Sequence, residues 1–185
     1  MYRTIVGGII YQYLGVKYCS PTIGMYFFAE EYIKFLKKFD YYLTVPMKVI
    51  KAKESRYYKQ MIKKNHQDAL VGVLDDVEIV FLHYNDTKKI IDNWEKRKNR
   101  INYDCIIFKF CDQNECTDDL IYEFDKLPYK NKICFTHKNF PELKSTIWIK
   151  KDRRKDEVVR DYYKSHKYLN IINYINEIYE KNMRK

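Results

Sequence analysis

Five short runs rich in β-branched and aromatic residues alternate along this chain with stretches of helical periodicity. That alternation limits the fold more than any other feature. The runs fall at 45–52, 77–84, 105–110, 133–136 and 146–149. Between them, residues 29–43 place Tyr32, Phe35, Leu36 and Phe39 at spacings of three and four, which predicts a helix with one apolar face. Residues 86–101 follow Asp86, a good N-cap. Residues 117–126 follow Thr117, carry Asp118 and Asp119 in their first turn, and stop before Pro128. Strands that alternate with helices predict an α/β protein, here a three-layer α/β/α arrangement in which the five strands share one open sheet. Apolar residues 70–74 and 77–84 are split by Asp75-Asp76, so either a hairpin or a bulge is expected there. A hairpin makes the sheet mixed rather than purely parallel. Residues 4–6 read as an edge strand running through Gly7-Gly8 into a helix ending near Leu14, and 53–69 as helix or loop.

With 185 residues, one domain is expected: 1–150 as the α/β unit, then a charged segment and a C-terminal helix within 151–185. That helix, at 167–179, carries Ile171, Ile172, Ile175 and Ile178 on a face that should dock on the same domain. No apolar run reaches the ~18 residues of a membrane span, and no cleavage site follows the N-terminal stretch. A cytoplasmic location is the expectation. The five cysteines include no Cys-x-x-Cys and read as reduced thiols, with Cys105 and Cys134 inside strands; no metal site is expected.

The net charge of +10 suggests a nucleic-acid or membrane-surface partner until its distribution is considered. Residues 1–50 carry +3, 51–100 carry +4, 101–150 carry −1 and 151–185 carry +4, so the excess is spread among acids. Only KRKNR at 96–100 and KKDRRK at 150–155 are dense, and the plain reading of each is a solvated face.

Candidate chemistry gathers at strand ends and on interrupted apolar stripes. Asp76 lies near Glu78 in facing, and a carboxylate pair there would raise one pKa and supply a general acid. His83 points to the opposite face of that strand from Glu78. The plain alternative is two solvated acids and a hydrogen-bonded histidine. Arg97 falls on the stripe of Ile90, Trp94 and Ile101 with Arg100 beside it, and Lys109 stands mid-strand between Phe108 and Phe110. Cations in such places pair with carboxylates or meet an anionic ligand. Asp112, and then Thr136, His137 and Asn139, follow strands at the edge where open α/β sheets collect ligand groups. Gly7-Gly8 offers backbone N–H groups to an anion but lacks the pattern of a Walker or Rossmann loop.

Taken in order, GGIIYQYLGVKYCSPTIGMYFF, DDVEIVFLHY, WEKRKNRIN, FKFCDQNECT and FDKLPYKNKICFT followed by WI resemble a bacterial family of exopolysaccharide biosynthesis proteins, otherwise classed as a domain of unknown function. The resemblance spans about residues 4–150. It implies a cytoplasmic α/β/α domain associated with capsule or surface-polysaccharide production, and it transfers no catalytic residue. Family members commonly carry Asn-Asn-Cys ahead of the Gly-Gly; here those places hold Arg3, Thr4 and Ile5, which excludes a cysteine mechanism at this end. The leading expectation is therefore an enzyme that transfers or modifies sugar units from an anionic donor. Asp76, Glu78, His83 and Asp112 are its catalytic candidates, with Arg97, Arg100, Lys109, Gly7, Gly8 and His137 binding a nucleotide-sugar or glycan substrate. An accessory protein lying against anionic lipid at the inner membrane face is the alternative. A nucleic-acid-binding domain is the third, without a fold signature.

Overall fold

The computed structural model describes Gly15 and residues 17–183. The expected strand at 4–6, the helix after it and Gly7-Gly8 lie outside the described residues. Helices and strands alternate through the chain, and the α/β class holds. The described strands form two sheets, not the single one expected.

The first sheet is antiparallel. It contains β1 (Met25–Tyr26), β2 (Lys48–Lys51), β3 (Leu70–Leu74) and β4 (Val77–Phe81) in the order β1-β4-β3-β2. Leu74 pairs with Val77, so Asp75-Asp76 is a two-residue hairpin turn. Asp75 adopts φ +55°, the positive φ that primed turns need and that Asp tolerates better than most residues. The second sheet is parallel, β5 (Phe108–Cys111), β6 (Lys132–Thr136) and β7 (Thr146–Trp148) in that order. A seam joins the two: Ala29 N–H donates to the Asn114 carbonyl at 3.0 Å, and Asn114 Nδ2 to the Phe27 carbonyl at 3.1 Å.

Helices α1 (Ala29–Lys37), α2 (Phe39–Thr44), α4 (Thr87–Lys98) and α5 (Asp118–Lys126) cover one side of both sheets. Phe35, Trp94 and Phe124 from the helices meet Ile79 and Phe81 of β4 and Phe108 and Phe110 of β5 in one continuous core. On the far side, α3 (Tyr58–Lys63) sets Met61 over Val71 and Val80. There too, α6 (Asp161–Lys164) and α7 (Ile171–Met183) follow the strands, and Ile171 and Tyr174 pack near Ile133, Phe135 and Val158. Each sheet thus lies between two layers.

Several boundaries differ from expectation for local reasons. The helix expected over 29–43 breaks at Lys38, whose φ of −132° and ψ of 44° are not helical. Asp86 caps α4 through Oδ1 to the N–H groups of Lys88 and Lys89, whereas Thr117 makes no side-chain cap bond. Cys105 lies in a one-turn 3-10 helix rather than in a strand, while Cys134 is buried in β6. On α7, Ile178 is buried but Ile172 is exposed.

Candidate functional site

Parallel pairing sets the end of β5 against the end of β6, with Cys111 opposite Phe135. The ladder runs one step further, as Asp112 N–H donates to the Phe135 carbonyl at 3.1 Å. The first residues past the two strands, Asp112 and His137, therefore meet at the carboxyl edge of the sheet. Asp112 is only 4% exposed. Its Oδ2 accepts from the backbone N–H of His137 at 2.5 Å and from the ring Nδ1 at 2.6 Å, and Oδ1 accepts from Val158 N–H at 2.9 Å. Burial raises its carboxyl above the ordinary aspartate range, and the N–H donors of His137 and Val158 pull in the opposite sense. With Nδ1–H held by a carboxylate, Nε2 is the imidazole nitrogen left to accept a proton. The contact has the geometry by which a carboxylate orients an imidazole, an arrangement that can do general acid–base chemistry.

The backbone around the pair is fixed. The His137 carbonyl accepts from Trp148 Nε1 at 2.9 Å, and Thr136 Oγ1 donates to the Lys138 carbonyl at 2.9 Å. After Asp112 the chain turns through Asn114 and Glu115, both with positive φ, at 55° and 64°. Two successive non-glycine residues in that region cost roughly 1–3 kcal/mol each. The turn is held by Gln113 Nε2 on the Val158 carbonyl, by Asn114 N–H on Glu157 Oε2 at 3.2 Å, and by the Asn114 seam bond to Phe27. Both positive-φ residues thus lie just after the buried acid of the pair.

The other candidates are dispersed. Asp76 stands in the hairpin turn, more than half exposed, where it accepts from the Tyr42 hydroxyl at 2.6 Å and lies 3.4 Å from Lys34 Nζ. That hydroxyl, ahead of Lys34, holds its pKa below the usual range. The Glu78 carboxylate does not join it: Oε2 accepts from Ser55 Oγ at 2.5 Å and Oε1 lies 3.4 Å from Arg56 Nε. His83 is exposed past the end of β4. Arg97 meets no carboxylate among the described residues, contrary to expectation. It donates to the Ile23 carbonyl at 2.8 Å and the Tyr84 hydroxyl at 3.0 Å, and it lies over the Tyr18 ring. Arg100 donates to the Tyr18 carbonyl at 2.9 Å. Lys109 does meet a carboxylate, that of fully buried Asp161. Arg97 and Lys109 share no partner among these contacts.

One cluster escaped the sequence reading. Glu31, 1% exposed, accepts from Glu78 N–H at 2.7 Å, the Tyr57 hydroxyl at 2.9 Å and Arg56 Nη2 at 3.3 Å. Burial, with the Glu31 charge, pushes the Tyr57 hydroxyl pKa up. Every carboxylate oxygen here has a donor or cation, so the cluster fastens α1, β4 and the segment before α3 together. The signal was present: Glu31 precedes Phe35 by four residues and so lies on the buried stripe. Among the described residues, no group of three or more His, Cys, Asp or Glu is placed to hold a metal ion. No described helix is long and apolar enough to cross a membrane.

An uncharacterized protein of Haemophilus influenzae is 31% identical over 153 residues, which cover 83% of this chain and 68% of that protein. The family model described as Domain of unknown function (DUF1919) matches residues 3–182. That description assigns no function, and exopolysaccharide biosynthesis rests on the motif resemblance alone. Because the match takes in nearly the whole chain, this protein belongs to the DUF1919 family.

Proposed function

We propose that this protein is a surface-polysaccharide biosynthesis enzyme that transfers a sugar unit from an anionic donor, with His137 as its general base and Asp112 as the residue that orients it. The observation that carries the chemistry is the 2.6 Å contact between His137 Nδ1 and buried Asp112 at the carboxyl edge of a parallel sheet. The polysaccharide assignment rests on the motif resemblance. In the proposed step, His137 Nε2 takes the proton of an acceptor hydroxyl. The hydroxyl oxygen bonds to the anomeric carbon, and the bond from that carbon to the donor phosphate oxygen breaks with its electron pair leaving on the phosphate. A base so placed contributes about 10²–10⁴-fold to such a reaction.

Screening the purified chain by thermal shift against nucleotide sugars, polyphosphates and short glycans tests the donor class. Ring-nitrogen NMR of His137 then reports whether the hit reaches the site. A nucleotide sugar that raises the melting temperature and moves the His137 signal is expected. Stabilisation by none of them, or a hit that leaves His137 unmoved, would contradict the assignment.

A further inference from the structure

We propose that residues 150–157 form a phosphate-binding strap across the Asp112–His137 pair, taking the phosphate or diphosphate of an anionic substrate; this rests on the function proposed above. The strap is tied to the pair at both ends. It leaves β7 just after Trp148, whose Nε1 donates to the His137 carbonyl, and it ends at Val158, whose N–H donates to Asp112 Oδ1 at 2.9 Å. Both anchors of the segment thus lie on the residues of the pair: the His137 carbonyl at one end and the Asp112 carboxylate at the other.

The charge displayed by the strap follows from which side chains turn inward. Asp152 is 2% exposed: Oδ1 is 2.5 Å from Lys164 Nζ, and Oδ2 accepts from Val159 N–H at 3.0 Å. Glu157 accepts from Asn114 N–H. Two of the three acids in the segment are thus occupied internally, which leaves Asp156 as the exposed one. Lys150, Lys151, Arg153, Arg154 and Lys155 are all exposed, and none pairs with a carboxylate among the described residues. The turn that presents them is closed by Asp152 N–H to the Ile149 carbonyl and Lys155 N–H to the Asp152 carbonyl, each 2.8 Å. Lys150 Nζ also lies 5.3 Å from the centroid of the Trp148 ring, whose Nε1 donates to the His137 carbonyl.

Five exposed cations against one exposed acid, Asp156, on a pinned turn suit a compact multivalent anion, because the backbone geometry is set before the ligand arrives. The cations that the sequence suggested for this task, Arg97 and Lys109, are engaged elsewhere by the Ile23 carbonyl and by Asp161. A diphosphate reaches such a strap either in a soluble nucleotide sugar or at the head of a membrane lipid, and the chemistry recognised is the same.

The test is calorimetric titration of the full chain with inorganic pyrophosphate, UDP-glucose and a short oligonucleotide, and co-sedimentation with phosphatidylcholine vesicles with and without phosphatidylglycerol. Wild type, R153A/R154A/K155A, the milder R154Q/K155Q and H137Q are compared. Saturable pyrophosphate binding that weakens about tenfold or more in the triple variant, and measurably in R154Q/K155Q, is expected for a site built on charge-assisted contacts. H137Q should retain it. UDP-glucose binding tighter than pyrophosphate identifies a soluble donor, whereas sedimentation only with the anionic vesicles identifies a lipid headgroup; either supports the strap. No saturable pyrophosphate binding, binding unchanged in both strap variants, or preference for an oligonucleotide over pyrophosphate at equal phosphate would overturn it. Loss of strap binding without loss of the His137 response, or the reverse, separates failure of this inference from failure of the catalytic assignment.

Discussion

Asp112 accepts three N–H donors from a buried position, and each of those donors depends on it. Asp112→Ala would leave two backbone N–H groups without an acceptor, and we expect a loss of roughly 2–5 kcal/mol in urea denaturation. The raised pKa gives the pH dependence its sign. The folded state holds the Asp112 proton more tightly than the unfolded chain, so this contribution is complete below the unfolded pKa and is lost as pH rises through the folded one. Wild type should therefore lose stability relative to Asp112→Asn as pH rises through and above the ordinary carboxylate range, whereas a pH-independent difference would contradict it. Asp76 acts in the opposite sense: its lowered pKa adds stability above the ordinary carboxylate range that is lost as pH falls. At Lys109, replacement by Met strands the Asp161 carboxylate in the interior, with an expected cost of about 3–5 kcal/mol. Lys109→Met combined with Asp161→Asn should recover part of that loss; no recovery would place the cost in packing rather than in the charge.

At the scale of elements, the strand runs and the α4 cap were legible because period and capping are local properties. Sheet membership was not. An apolar run such as 105–110 carries no record of which strand it will pair with or in which direction. The hairpin at Asp75-Asp76 recruits β2 into an antiparallel sheet, while helix α5 crosses between parallel β5 and β6. The site was legible by half. Asp112 and His137 were visible as strand-end residues, but their contact depends on register. The strap depends on Asp152 and Glu157 turning inward, which a row of alternating charges does not reveal. The tail was read as a docking helix from its four isoleucines; Ile171 packs with Tyr168, Leu169 and Tyr174 on the cluster of Ile133, Phe135 and Val158, while Ile172 is exposed. Deleting residues 166–185 should then lower the melting temperature by several degrees, at roughly 2–4 °C per kcal/mol for a chain of this size. An unchanged melting temperature would show that those contacts contribute nothing.

Across the whole molecule, one core joins both sheets through Trp94, Phe35 and Phe110, and the Asn114 seam ties their edges. Unfolding should therefore be a single transition, with far-ultraviolet and near-ultraviolet circular dichroism coinciding along a urea gradient. Separate midpoints would mean that the antiparallel and parallel halves fold independently. The same layering leaves the carboxyl edge of the parallel sheet framed by the strap and the strained turn at Asn114-Glu115, and there the proposed chemistry concentrates. The most direct measurement is the yield and sugar composition of surface polysaccharide in cells that carry this protein when His137→Gln replaces the wild-type residue at normal protein levels. The account predicts loss of the polysaccharide, or of one sugar from it, with the folded protein still present. Polysaccharide identical to wild type in the His137→Gln strain would contradict it.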